Sequence, residues 1–265
     1  FPKFFHPDPT VKRQTGFLIP KIQDNSTTGM SLNLPYFMAL AKNKDITLTP
    51  RFFADDKFLI QSEFRKKNKN SNYIFDLSQY SSKNENSNGH LFYNYQKDYI
   101  DKKSNNVEFN IQLEQVSDET YLKTFKIESP IIKNNSILKN SISLDYDNQN
   151  RSINTSFDIY EDLAKPDNDK YEYVPNFNFS KVINENFLFN ANGYYKHYNT
   201  NISEKILINK FEFNTDPIFF NNGFINDKKI ILKNVNSDAK NSKNYKNKSS
   251  SNLTPTIQTN YSLPL

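Results

Sequence analysis

The sequence predicts an all-β chain: part of an antiparallel, up-and-down transmembrane β-barrel, with about a dozen strands in this chain. Three observations carry that expectation. The dominant period of apolar residues is two, as in Val107-Glu108-Phe109-Asn110-Ile111-Gln112-Leu113-Glu114, which alternates without error. The second face of each stretch is Asn, Gln, Ser, Thr, Glu and Asp, leaving little apolar material to fill an interior. No segment carries a helical stripe of useful length.

Taken in order, Leu18, Ile19 and Ile22 read as a first strand, and Leu32, Leu34 and Tyr36 as a second. The same two-residue alternation follows in Ile46-Thr47-Leu48-Thr49, Tyr73-Ile74-Phe75-Asp76-Leu77-Ser78, Ile142-Ser143-Leu144-Asp145-Tyr146, Phe177-Asn178-Phe179-Ser180 and Phe211-Glu212-Phe213-Asn214. Most strands come out near ~9–11 residues, the length that crosses a bilayer at a tilt. Polar clusters at 66–72, 81–89, 148–150 and 166–169 read as turns. Tyr80, Tyr99, Tyr146, Tyr160, Tyr171 and Tyr198 fall near strand ends, where an aromatic girdle lies in such proteins. Residues 236–255 are mostly Ser, Lys and Asn and read as an exposed polar loop, because such a composition does not repay the entropy of ordering. Residues 256–265 read as one further strand or an end left without its partner. A soluble β-sandwich binding module or a diffusion porin produces the same period, and composition favours a membrane wall over the sandwich.

Composition narrows the function classes. The 265 residues include 40 Asn, 23 Phe and 16 Tyr, and 36% of them are hydrophobic, low for a globular core. That many aromatics argue against a wholly disordered chain. No run approaches the length of a transmembrane helix, which leaves strands as the only way across a bilayer. A net charge of +5 spread among dispersed lysines lacks the clustering of a nucleic-acid site, so no nucleic-acid partner is expected. With no Cys there is no disulfide, thiolate metal site or Cys nucleophile within the chain. The chain begins at Phe1 without a signal-like stretch, which reads as a processed or internal piece.

A catalytic constellation does not emerge. His6, His90 and His197 are isolated and read as surface or loop residues, with no metal-ligand spacing. The carboxylate pairs Asp55-Asp56 and Glu161-Asp162 are sequence neighbours, which point to opposite faces of a strand and make poor acid–base pairs. Lys66-Lys67-Asn68-Lys69 reads as a solvated loop. No enzyme activity, cofactor or metal is therefore expected. Pro20, Pro35 and Pro50 stand out instead, each falling inside an apolar strand pattern. Proline gives the ladder no N–H, so either these strands end there or the N-terminal edge of the sheet is weakly paired.

Several blocks together resemble the opening barrel strands of the LPS-assembly protein LptD family, also called organic-solvent-tolerance proteins. They are Lys12-Arg13-Gln14-Thr15-Gly16-Phe17-Leu18-Ile19-Pro20, Leu34-Pro35-Tyr36-Phe37, Asp45-Ile46-Thr47-Leu48-Thr49-Pro50-Arg51 and Glu63-Phe64-Arg65. Val116-Ser117-Asp118-Glu119-Thr120-Tyr121-Leu122 resembles the family's Ser-Asp-x-x-Tyr element. Tyr171-Glu172-Tyr173-Val174-Pro175 resembles its Leu-Pro-Glu-Leu element, with Asn176 in place of the usual Glu. Order and spacing agree over residues 2–180, and the likeness loosens from 181 to 265.

The resemblance implies an outer-membrane barrel that delivers lipopolysaccharide to the outer leaflet, in the bacterial outer membrane. Its implied partners are lipopolysaccharide, the outer-membrane lipid, the lipoprotein LptE inside the lumen, and a periplasmic transport bridge reached through a jelly-roll domain. Residues 1–15 would then be the linker from that jelly roll, which this chain lacks, and 16–235 a partial barrel without its second half. Pro20 and Pro35 would be the lateral-gate prolines by position, with Pro50 as a third seam proline. The cysteines that pin the two domains together in some family members are also lacking.

Overall fold

The structure, a computed structural model, describes residues 13–54, 57–83, 86–100, 105–167, 169–198 and 201–263. It divides into two compact units, residues 1–95 with 113–135 and residues 96–112 with 136–265. Every strand with an assigned partner pairs antiparallel, and the long strands pair in sequence order, up and down. Among the described residues no helix is long and apolar enough to cross a membrane.

The first unit opens with β1 (Gly16–Phe17), β2 (Lys21–Gln23), β3 (Ser31–Asn33) and β4 (Tyr36–Ala41). Longer strands follow: β5 (Lys44–Phe53), β6 (Phe58–Asn68), β7 (Ser71–Ser81), β8 (Asn88–Ile100) and β9 (Asn106–Val116), of which β8 and β9 also enter the second unit. A connector then carries the one short helix described, α1 (Tyr121–Thr124). The register across the sheet runs Lys21 opposite Asn33, Asn33 opposite Arg51, Arg51 opposite Leu59, and Leu59 opposite Tyr80. A side chain at Gly89 would run into the Ser78 carbonyl, so glycine there allows β8 to close on β7.

The second unit continues with β10 (Ile137–Asn148), β11 (Arg151–Asp162), β12 (Tyr171–Val182), β13 (Phe187–Tyr198), β14 (Ser203–Asn214), β15 (Ile218–Phe219), β16 (Ile225–Lys240) and β17 (Ser250–Ser262). Its two faces differ as the alternation requires. Ile142, Leu144, Phe157, Phe177, Leu207 and Phe211 are all more than a third exposed on one face. The other face carries ion pairs, Lys139–Asp158 at 3.2 Å and Lys196–Glu172 at 2.6 Å, while Lys210 and Lys229 both reach Glu212.

The strand inventory refines the expectation in three places. Of the 17 strands among the described residues, twelve have 10–16 residues and five have 2–6. Four of the short ones arise because the first two expected strands break at their prolines, where the ladder loses a donor. Residues 236–240 and 250–255, expected within a loop, belong to β16 and β17, with Asn236 opposite Ser251 and Asn234 opposite Leu253. Pairing uses the backbone, which Asn and Ser supply as well as any residue, and only 241–249 turns between the strands. Lys66, Lys67 and Asn68, read as loop, are the end of β6 above a two-residue turn. Of the linker expected at 1–15, residues 1–12 lie outside the described residues.

Candidate functional site

The proline strands form the first part of the site. Pro20 lies between β1 and β2, and Pro35 between β3 and β4. β1 pairs with β4, Gly16 opposite Phe37, whereas β2 pairs with β3, Lys21 opposite Asn33. The chain therefore loses its ladder at each proline and resumes beyond it. Bridging bonds use proline carbonyls: the Leu18 N–H donates to the Pro35 carbonyl at 2.9 Å, and the Leu34 N–H to the Pro50 carbonyl at 3.0 Å. Pro50 lies inside the continuous β5, opposite Ile60. Phe17, Ile19 and Ile22 beside the breaks are each at least 73% exposed, an apolar edge facing out. The segment ahead of β1 is tied down differently, since Arg13 and Arg65 both pair with the buried Asp45.

The second part is the connector from β9, residues 117–135, which packs within the first unit. Sequence reasoning expected a polar inner face, yet Phe53, Leu59, Tyr80 and Phe92 are buried there, together with Tyr121, Leu122, Phe125 and Ile127 of the connector. Phe125 meets Phe53, Tyr80 and Tyr121 at centroid separations of 6.1, 4.5 and 5.0 Å. Polar side chains of the wall hold the connector by its main chain. Arg51 donates from Nη1 to the Phe125 carbonyl, Gln61 to the Glu128 carbonyl at 2.9 Å, and Asn25 to the Thr124 carbonyl at 2.7 Å. Lys21 of β2 pairs with Glu128 at 3.2 Å, and Lys126 donates to the Asp24 carbonyl at 3.2 Å. The segment just beyond the Pro20 break is thus fastened to the connector.

His90 departs from its surface reading: it is buried in β8, and His197 lies in β13 with its ring 6.0 Å from that of Tyr195. His6 lies outside the described residues. His90 Nδ1 is 2.6 Å from Ser78 Oγ, which is also 2.6 Å from the Tyr121 hydroxyl. On the other side His90 Nε2 sits 3.2 Å from Asp76, outside hydrogen-bonding geometry. Ser, His and Asp meet here, but the His and Asp side chains have no exposure, and Ser78 Oγ is occupied by Tyr121. The group fastens the helix turn to the wall rather than meeting a substrate. Among the described residues no cluster of three His, Asp or Glu is placed for a metal ion.

Burial pushes the Tyr121 phenol up to about 12, against 10 for a free one. A raised folded value contributes stability in full below pH ~10, and that contribution is lost as pH rises through about 12. Tyr121→Phe, which has no proton to lose, is expected to shift the alkaline unfolding midpoint upward relative to its neutral-pH stability. At neutral pH the lost hydroxyl bond costs about 1 kcal/mol. A pH-titration of thermal unfolding for both proteins checks this, and an unchanged alkaline limb would contradict it.

An antiparallel wall with one apolar and one polar face, interrupted at its opening strands, is the pattern of an outer-membrane β-strand protein. No family model matches the chain. Over part of its length its sequence is similar to those of LPS-assembly proteins. It is 26% identical to "LPS-assembly protein LptD" of Pseudoalteromonas atlantica over 113 residues, 43% of this chain and 15% of that protein. It is 45% identical to the protein of that name from Pseudomonas entomophila over 60 residues, 23% of this chain and 6% of the relative. The matches thus span a small fraction of the relatives' length. Among solved structures, a "Bacterial polysaccharide outer membrane secretin" aligns over 88% of this chain and 79% of its own, at 12% identity and a TM-score of 0.31, too low to bear on function. The sequence relation and the strand patterning assign the chain to the bacterial outer membrane.

Proposed function

We propose that this chain is part of the wall of an outer-membrane translocon that inserts lipopolysaccharide into the outer leaflet through a lateral gate. What carries the reading is the pair of ladder breaks at Pro20 and Pro35 on successive opening strands, in a chain related to LPS-assembly proteins. Transport needs no covalent step. Moving acyl chains from a polar path into bilayer is favourable by about 0.8 kcal/mol per CH₂, so the protein has to supply a path and a weak seam. Pro20 and Pro35 loosen that seam, and Pro50 marks the third strand of the row, lending its carbonyl to Leu34. In this reading the polar face lines a lumen occupied by the lipoprotein LptE. A periplasmic bridge hands over the lipid through a jelly-roll domain, with residues 1–15 as the linker from it.

Each proline removes one ladder donor, worth about 0.5–1.5 kcal/mol net. Two restored donors would make seam opening rarer by roughly one to two orders of magnitude, at 1.4 kcal/mol per factor of ten. Pro20→Ala with Pro35→Ala, made in the full-length protein, is expected to leave assembly intact and slow lipopolysaccharide delivery. The readouts are surface lipopolysaccharide after a pulse label and sensitivity to hydrophobic antibiotics. Normal delivery by a correctly assembled double variant would overturn the gating role.

A further inference from the structure

At the end of the first unit away from the connector, an open pocket of about 380 Å³ is lined by five cations. They are Arg13 ahead of β1, Lys42 in the β4–β5 turn, and Arg65, Lys66 and Lys67 of β6. Among the described residues Asp45 is the one carboxylate of the lining, and both guanidiniums close on it. Its side chain is 3% exposed, so it needs those partners and in turn holds them still. A guanidinium has five N–H donors in a fixed fork, and Asp45 uses only part of each set. The Arg13 and Arg65 side chains remain 49% and 43% exposed, so a solute can reach the donors left over.

The lysines are placed beside these forks. Lys67 lies two residues beyond Arg65 and shares its face of β6. The turn that carries Lys42 is clipped to the same strand end. The Lys67 N–H donates to the Asn43 carbonyl at 2.8 Å, and Asn43 Nδ2 donates to Asn68 at 3.0 Å. Lys42 and Lys67 are exposed, and neither ammonium has an ion-pair partner among the described residues. Lys66 turns to the other face, its ammonium 5.6 Å from the centre of the Tyr73 ring. Glu63 counts against the set, because it meets Arg65 at 3.2 Å. Four cations then face two carboxylates, an excess of two positive charges.

That excess narrows the guest. A phosphate monoester carries about −1.5 to −2 near neutral pH and matches it, whereas a single carboxylate leaves half of it unanswered. Arginine forks meet phosphate oxygens two at a time, and lysines add point charge. The volume equals roughly a dozen waters at ~30 Å³ each, more than a bare phosphate ion fills. Two-residue turns, 42–43 and 69–70, form this end of the sheet, and in outer-membrane barrels the short turns face the periplasm.

We infer that this pocket is a binding site for a sugar phosphate, with Arg13 and Arg65 on the phosphate oxygens and Lys42 and Lys67 at the mouth. The inference rests on the transport reading only for the source of that group, a phosphorylated sugar of the lipid arriving from the periplasm.

The test uses the full-length protein in non-ionic detergent micelles, with glucose phosphate as probe and saturation-transfer NMR as readout. Glucose phosphate is expected to bind at low ionic strength, glucose is not, and inorganic phosphate should compete only weakly. Lys42→Gln with Lys67→Gln spares the Arg–Asp45 group and should weaken binding about fivefold to tenfold, an exposed ion pair being worth up to about fivefold. The difference should shrink at ~1 M salt, where the screening length falls to ~3 Å. Lys123→Gln with Lys248→Gln removes the same charge from exposed positions outside the pocket and should leave binding unchanged. Heat-modifiable gel migration checks assembly, and Lys67→Gln alone gives a smaller loss if the double variant fails to assemble. Equal binding of glucose and its phosphate, or wild-type affinity in the Lys42 and Lys67 variants, would overturn the site. So would an equal loss in the Lys123 and Lys248 control, which means general charge attraction. Inorganic phosphate competing as well as the ester would show a site for the free ion and overturn the sugar assignment. Delivery of lipopolysaccharide by a protein that ignores glucose phosphate removes only the site. Selective binding in a protein whose depletion leaves surface lipopolysaccharide unchanged removes only the transport reading.

Discussion

Phe125→Ala is expected to destabilise the assembled protein by about 3–5 kcal/mol, the range for removing a buried aromatic ring. Phe125 is 5% exposed and touches three rings, two from the wall and one from its own helix turn. The hole left behind borders Arg51, whose bond to the Phe125 carbonyl fixes this part of the connector. Lys123→Ala, two residues earlier on the exposed side, should change stability by less than about 0.5 kcal/mol. Thermal loss of heat-modifiable gel migration measures the first quantity. Proteolysis within 117–135 then reports whether the connector has come away. Equal stability of the two variants would mean that the ring cluster holds nothing.

The second large effect concerns the outward face. Ile111→Lys should impair membrane assembly by about 2–4 kcal/mol if the residue sits near the midplane, whereas Gln112→Lys should cost less than about 1 kcal/mol. The orientation comes from β9 itself: Leu113 is 43% exposed, while the next residue, Glu114, is 2% exposed. Ile111 shares the parity of Leu113 and stands opposite Ile142, which is 52% exposed. Refolding into lipid vesicles with a denaturant titration gives both numbers. Equal penalties at the two positions would reject this assignment of faces.

Much of this architecture was legible because a two-residue period survives any tertiary context. The stretch from Val107 to Glu114 is strand throughout, as its alternation requires. Three features were hidden for separate physical reasons. Four residues of helix from Tyr121 to Thr124 are too few to show a helical period, and packing rather than propensity holds them. The burial of His90 depends on Asp76 and Ser78 across a strand pair and on Tyr121 from the connector, contacts no local spacing reveals. The extension of β16 through Lys240 runs Asn236-Ser237-Asp238-Ala239-Lys240, residue types poor in strands that are overruled by a complete backbone ladder. Of the functional candidates, the prolines were visible by chemistry alone.

The way the connector is held has a consequence for how it can change over generations. Asn25, Arg51 and Gln61 grip the carbonyls of Thr124, Phe125 and Glu128, groups that every amino acid possesses. Recognition of this kind is blind to side-chain identity. Positions 123 and 124, whose side chains take no part in these bonds, are therefore freer to drift than 126 and 128, whose side chains reach Asp24 and Lys21. The wall has no such latitude: exchanging Arg51 for an apolar residue deletes a donor that no compensating change in the connector's side chains restores. Innovation is cheap on the segment that is held, and inheritance is strict on the frame that holds it.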